Sequence, residues 1–265
     1  MQLARRLVIA LVGGYAALLA LLYFGQEKLI FAPAKLPSTH VFDKRDVSEV
    51  SIPVVQATLS ALHYKQPGAR GLVFYLHGNA GNLETWLTGT EFYRRNGFDL
   101  FMIDYRGYGK SSGKIESQEQ LHADVRAAYE TVAPQYRGKP IVVLGRSLGT
   151  ALAAKLAGDV LPALTILVSP YSSMRDMARE QYPFVPAALL RYPLDTSAYL
   201  ARVSTRVLLV HGEDDALIPI THSERLLVRA STKLTQLLRV PQAGHNDIHQ
   251  FEAYSEGLSA ALKRL

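Results

Sequence analysis

Short, almost wholly apolar runs recur along this chain at the spacing of strands that alternate with helices, and that alternation is its tightest constraint. GLVFYLHG (71–78), FDLFMIDY (98–105), IVVLGR (141–146), ALTILVSP (163–170), TRVLLVHG (205–212) and LTQLLRV (234–240) have the length of strands and little polar face. Such runs read as strands buried on both sides. Between them lie ETWLTGTEFYRRNG (84–97), SQEQLHADVRAAYETVA (117–133) and HSERLLVRA (222–230), which repeat apolar residues at helical spacing, and HQFEAYSEGLSAALKRL (249–265) closes the chain. Ser117 is placed to cap its helix, with Gln120 at the return position of a capping box. VSIPVV (50–55) and TLSALHY (58–64) read as edge strands, the first demoted by Pro53. The expectation is an α/β domain with a mostly parallel central sheet and helices on both faces. Tyr171–Tyr199 does not fit the alternation, because Pro183, Pro186 and Pro193 interrupt its apolar clusters.

The N-terminus sets a second constraint. Leu7–Gly25 carries no charge and follows Arg5 and Arg6. As a helix it would be about 28 Å long, close to the hydrocarbon thickness of a bilayer. The expected organisation is a membrane anchor at 1–25, a linker at 26–45 and a domain at 46–265. The paired arginines place the N-terminus in the cytoplasm and the domain outside. A cleaved signal peptide is the alternative, with small residues in FAPA (31–34). The small-residue pairs Gly13/Ala17 and Ala10/Gly14 suit close helix packing, but oligomeric state stays open.

Composition excludes several chemistries. The chain has no cysteine, so it has neither a thiolate nucleophile nor a thiolate metal site. The net charge of +6 is scattered along the sequence, without the basic blocks and interleaved aromatics of a nucleic-acid binder.

Nucleophilic chemistry is legible in Gly145-Arg146-Ser147-Leu148-Gly149. A strand-to-helix corner projects its apex side chain above the sheet and aims the next helix's amides at the same point. A serine hydroxyl there needs a base to take its proton. Carboxylates follow a later strand in HGEDDALIP (211–219), and His245 follows the last strand. His77 and His211 read as loop braces, Asp104 as a structural tie and His122 as a surface residue. HNDIH (245–249) spaces two histidines for a metal but lacks the zincin glutamate, so no metal is expected.

HGNAGN (77–82), DYRGYGKS (104–111), GRSLG, HGEDDALIP and GHND (244–247) together resemble the blocks of the α/β-hydrolase superfamily, in order, across roughly 45–265. With QEKLIFAP (26–33) after an apolar helix, the chain resembles in particular the small membrane-anchored hydrolases related to protein depalmitoylases. The resemblance implies Ser147 as nucleophile, His245 as general base and Asp215, over Asp214, as the orienting acid. It implies the Leu148 and Asn79 amides as oxyanion donors, with Gly78 the alternative to Asn79. It also implies a short cap at about 171–199, with Tyr171, Met174, Phe184 and Leu190 as lining. Arg146 beside the nucleophile is a candidate contact for a substrate carboxylate or phosphate, with a structural contact under the elbow as the alternative. The implied activity is cleavage of an acyl ester or thioester without a cofactor. A peptidase or amidase, and a non-catalytic membrane-anchored binding protein, are the alternatives.

Overall fold

In the computed structural model of the chain, which describes residues 1–231 and 233–265, the apolar runs pair into one eight-stranded sheet. Helix α1 (Gln2–Ile30) leads into the two-residue strand β1 (Ala32–Pro33). The hairpin β2 (Val47–Val54) and β3 (Ala57–Tyr64) precedes β4 (Gly71–Leu76). Next come β5 (Ala80–Gly81), the short helices α2 (Leu83–Trp86) and α3 (Thr90–Arg95), β6 (Phe98–Ile103) and α4 (Gln118–Val132). The second half runs β7 (Ile141–Arg146), α5 (Gly149–Val160), β8 (Leu164–Val168), α6 (Met174–Gln181) and α7 (Thr196–Leu200). It ends with β9 (Val207–Gly212), α8 (Thr221–Arg229), β10 (Thr235–Val240) and α9 (Glu252–Lys263).

The strand order is β10-β9-β8-β7-β4-β6-β3-β2. From β6 to β10 neighbours are parallel, while β3 and β2 add an antiparallel edge. Pro53 is tolerated because β2 lies at that edge. Alternate residues feed two cores. Phe74, Val143 and Leu167 face one way, with Val125 of α4 and Leu152 of α5. Val73, Leu144 and Ile166 face the other, with Tyr93 of α3 and Leu258 of α9. From β4 the chain departs to β6 on one side and returns to β7 on the other. The C-terminal ends of β4 and β7 therefore flank a topological switch point, where an open α/β sheet forms its ligand crevice.

Four expectations change. The helix read over 84–97 is two short helices, because Gly89 between them takes a left-handed φ of 70°. Segment 26–45 does not behave as a free linker over its first part. Helix α1 continues to Ile30, Gln26, Ile30 and Phe31 are buried, and β1 pairs in parallel with β5. His122 is no surface residue either: it is half-buried, its ring edge-on to Tyr199 at 5.4 Å. Ser117 does cap α4 through the Gln120 amide, but the Gln120 side chain accepts from Glu116 instead of closing a box.

Candidate active site

Strand β7 delivers Ser147 to the switch point in a left-handed conformation, φ 52°, which costs a residue with a Cβ energy that its surroundings must impose. The Ser147 amide donates to the Val168 carbonyl at 2.9 Å, and α5 begins two residues later. The flanking glycines are required by close approach. A Cβ on Gly145 would sit 2.3 Å from the Gly149 carbonyl oxygen, and one on Gly149 would sit 2.2 Å from that of Leu76. Neither position has room for a methyl group.

Two loops converge on the serine. His245 Nε2 lies 3.0 Å from Ser147 Oγ, and His245 Nδ1 lies 2.8 Å from Asp215 Oδ2. The other carboxylate oxygen, Oδ1, accepts the Leu217 and Ile218 amides at 3.0 and 2.8 Å, so the loop after β9 fixes the acid from both sides. Asp214 is exposed and points away, leaving Asp215 as the carboxylate that meets the imidazole. Burial opposes ionisation of Asp215. Hydrogen bonds from His211, His245 and the Ile218 amide outweigh it and hold the carboxyl well below the usual range. The negative charge on Asp215 in turn favours the tautomer that keeps a proton on Nδ1 and leaves Nε2 free to accept one. A hydroxyl, an imidazole and a carboxylate in series have the geometry for base-assisted attack on a carbonyl.

The histidine loop is held by its own backbone. Asp247 Oδ1 accepts the Gly244 amide at 2.8 Å, and Arg146 donates to the His245 and Asn246 carbonyls at 3.1 and 3.2 Å. The Arg146 guanidinium also lies over the Trp86 ring, 5.3 Å from its centre. Of the two readings of Arg146, a substrate contact or a structural contact at the elbow, the geometry matches the second, since Arg146 braces the loop that carries His245. His211 does brace, through Ser223 Oγ at 2.6 Å and the Ile218 carbonyl at 2.7 Å. His77 and Asp104 are fully buried beneath the site, 3.4 Å apart, and Asp104 accepts the Leu83 amide.

Above Ser147 lies a cleft of about 400 Å³. Asn79 and Leu148 flank the serine at its floor, and among the described residues no acceptor within the chain takes either amide. Gly78, the alternative to Asn79, packs against Trp86 and Ser147 with no room to spare. Tyr171 is buried, its hydroxyl 3.3 Å from the Leu148 carbonyl, and it lines the cleft together with Met174 and Leu190. Phe184 does not line it; it is 59% exposed. Sequence reasoning missed an entire wall, Leu22 to Ile30 of α1, and also Leu217 and Ile218 just beyond the acid. An aliphatic pair after the carboxylate was visible as sequence, but nothing in it told which way the side chains point.

Comparison with known proteins adds a family context. A family model described as serine aminopeptidase, S33, matches residues 67–194, a stretch that includes Ser147 and ends before Asp215. An uncharacterised protein of Mycobacterium tuberculosis is 35% identical over 185 residues, 68% of this chain and 64% of the relative. Alpha/beta hydrolase domain-containing protein 17B of Xenopus laevis is 30% identical over 197 residues, 72% of this chain and 66% of the relative. The chain thus spans a little under two thirds of these relatives' length. An esterase of Pyrococcus furiosus superposes with a TM-score of 0.71 at 20% identity, covering 89% of this chain and 97% of the esterase.

Proposed function

The chain belongs to the α/β-hydrolase superfamily, and on that premise we propose that it is a serine hydrolase cleaving an acyl ester or thioester through an acyl-enzyme. The observation that carries this reading is the series Ser147–His245–Asp215, at 3.0 and 2.8 Å, below a cleft lined by Asn79 and Leu148, whose amides have no acceptor among the described residues. Ser147 Oγ attacks the carbonyl carbon while His245 Nε2 takes its proton. The Asn79 and Leu148 amides receive the oxyanion. Collapse expels the alcohol or thiol, protonated by His245, and a water molecule then repeats the sequence on the acyl-enzyme to release the acid. No cofactor takes part in this sequence.

The cleft's chemistry favours an acyl group over a peptide N-terminus. Its lining contains no aspartate or glutamate to pair with a substrate ammonium, and most of it is aliphatic or aromatic. The peptidase reading has the description of the matching family model in its favour, over residues 67–194, but no feature of the cleft lining, and a binding protein without turnover has neither.

The same reading keeps α1 as an uncleaved anchor, with Arg5 and Arg6 in the cytoplasm and the catalytic domain on the far side. Cleavage in FAPA after Ala34 would remove the buried Ile30 and Phe31 and the strand that pairs with Ala80–Gly81.

Fluorophosphonate labelling of the full-length protein in detergent tests the proposal. The wild type labels, and Ser147→Ala and His245→Ala do not. A folded wild type that fails to label sinks the assembled site and returns the weight to a binding protein.

A further inference from the structure

The cleft over Ser147 has two walls of different origin. One is α6 with the loop that runs on to Leu190. The other is α1, through Leu22, Tyr23, Gln26, Leu29 and Ile30. Helix α1 is also the long apolar helix of the chain, most of which stands clear of the domain. Leu22 and Tyr23 belong to its uncharged run, and Gln26 to Ile30 extend the wall by roughly another 7 Å beyond Gly25. Gln26 spends its amide on the Leu189 carbonyl and the Arg191 amide, so this wall offers the cleft mainly hydrocarbon. The lower end of the wall is fixed to the reaction centre, because Ala32 donates to the Asn79 carbonyl.

The cap follows the helix upward. Tyr15, near the middle of the uncharged run, donates a 2.6 Å hydrogen bond to the Phe184 carbonyl. That contact lies about 15 Å up the axis from Gly25. If α1 crosses a bilayer, the loop tip at Phe184 therefore stands at hydrocarbon depth. Its side chains suit that place: Phe184 and Tyr182 are 59% and 53% exposed, and Phe24 on the helix is 77% exposed. An exposed aromatic patch of this kind marks a surface that meets lipid or a partner.

On the serine hydrolase reading, we infer that the cleft opens sideways into the bilayer and that the substrate is an acyl ester of a membrane lipid, whose chain slides between α1 and the cap to bring its carbonyl to Ser147. The order of parts matches. In a bilayer lipid the ester carbonyl lies at the edge of the hydrocarbon and its chain on the hydrocarbon side. Here Ser147 lies at the floor, beside the end of α1, and the wall climbs from Ile30 to Leu22. The chain remains in apolar surroundings throughout, so it leaves the bilayer without exposure to water. The acyl carbon–oxygen bond breaks, water supplies the hydroxyl of the released fatty acid, and the lipid's alcohol oxygen takes the proton from His245.

Full-length Ser147→Ala protein, reconstituted in phosphatidylcholine vesicles that carry a phosphatidylcholine with a diazirine on its acyl chain, tests this without turnover. Irradiation followed by peptide mapping places cross-links on 22–30 and on 174–190. Cross-links confined to the outward face of 7–21 would overturn lateral access. Pre-labelling the wild type with a long-chain alkyl fluorophosphonate removes the cleft cross-links and leaves those on the helix face. Cleft cross-links without any fluorophosphonate labelling overturn the hydrolase reading and, with it, the substrate role. In a turnover arm, the wild type releases fatty acid from vesicle phosphatidylcholine about tenfold or more faster than Ser147→Ala. Release from an S-palmitoyl peptide in the same vesicles, with none from the lipid, overturns the lipid in favour of an acylated protein.

Discussion

The amide of Ala32 donates a 2.9 Å hydrogen bond to the carbonyl of Asn79, so the second residue after the apolar helix is tied to the loop that carries a proposed oxyanion donor. The Tyr108 hydroxyl donates to the same carbonyl at 2.6 Å. Glu27, one turn from the end of α1, pairs with Arg191 at 2.6 Å and accepts from Tyr192 at 3.1 Å. The base of the helix is thereby part of the α/β-hydrolase domain.

Two truncations separate the free part of the helix from the fixed part. Removing 1–20 leaves every one of these contacts, and the melting temperature in detergent stays within a few degrees of the full chain, about 1 kcal/mol for a domain of this size. Removing 1–36 takes Phe31 from its edge-on contact with Tyr192 and leaves a gap in the core. That loss costs about 3–5 kcal/mol for the phenylalanine alone. Differential scanning fluorimetry, with fluorophosphonate labelling rate as the second readout, distinguishes the two.

Asp215→Asn isolates the electrostatic role of the acid. The amide oxygen still accepts from Leu217 and Ile218, so the loop after β9 keeps its shape. The amide nitrogen then faces His245 Nδ1 as a donor and selects the tautomer with its proton on Nε2, which cannot take the serine proton. The expected loss in kcat is about 10⁴-fold. Steady-state kinetics on a short-chain nitrophenyl ester measures it. An unchanged kcat would remove Asp215 from the mechanism.

The strands were legible because β4, β6 and β9 are buried on both faces, and such strands leave unbroken apolar runs in the sequence. Ser147, Asp215 and His245 stood out for a related reason: each follows an apolar run, and parallel strands bring their C-terminal ends to one edge. The wall from Leu22 to Ile30 was hidden, since an apolar helix facing lipid and one facing a cleft have the same composition. The structural role of Arg146 was one of its two readings, but a cation beside a serine gives no sign of which carbonyls, ninety-nine and one hundred residues away, it binds. Gly89 broke an amphipathic window whose periodicity continued through it.

Gly149→Ala and Gly89→Ala distinguish two reasons for glycine. At Gly149 the new methyl meets the Leu76 carbonyl oxygen at 2.2 Å, so β4 and α5 must part. Overpacking of that kind costs about 1–3 kcal/mol or more, and the shift at the switch point slows fluorophosphonate labelling. At Gly89 the methyl meets nothing within 4 Å, and the cost is backbone conformation alone, about 1–2 kcal/mol with labelling retained. Urea unfolding of both variants, beside their labelling rates, checks the separation.

Asp124→Asn breaks an ion pair that lies almost wholly out of water. Arg106 donates to Asp124 from Nε and Nη2 at 2.5 and 2.8 Å, and both side chains are buried. Leaving the guanidinium without its carboxylate costs about 3–5 kcal/mol, whereas replacing both partners by apolar residues of similar volume costs far less. The double variant Arg106→Met with Asp124→Leu is therefore expected to be more stable than Asp124→Asn in urea titration.

Acid sensitivity follows from histidines that folding keeps neutral, His63 and His122 most strongly. Burial lowers His63 from 6.5 to about 4, and burial likewise lowers His122 to about 4. Tyr136 donates its proton to Asp99 Oδ2 at 2.5 Å, so His63 Nε2, 2.7 Å from the phenol oxygen, must be the donor there. Both folded values lie below the unfolded one, so between pH 6.5 and 4 the unfolded chain binds more protons than the folded chain. The stability that the neutral rings contribute is full above pH 6.5 and falls away as the pH approaches 4. Each ring contributes a slope of up to about 1.4 kcal/mol per pH unit in that window. Unfolding free energies from urea titrations at pH 7 and pH 5 should differ by these slopes integrated over the window, about 2 kcal/mol for each of the two rings in the wild type. The difference should shrink in His63→Gln and in His122→Gln, with His222 and His249, also lowered by burial, supplying part of the remainder, and a variant that keeps the full difference would remove its histidine from this account.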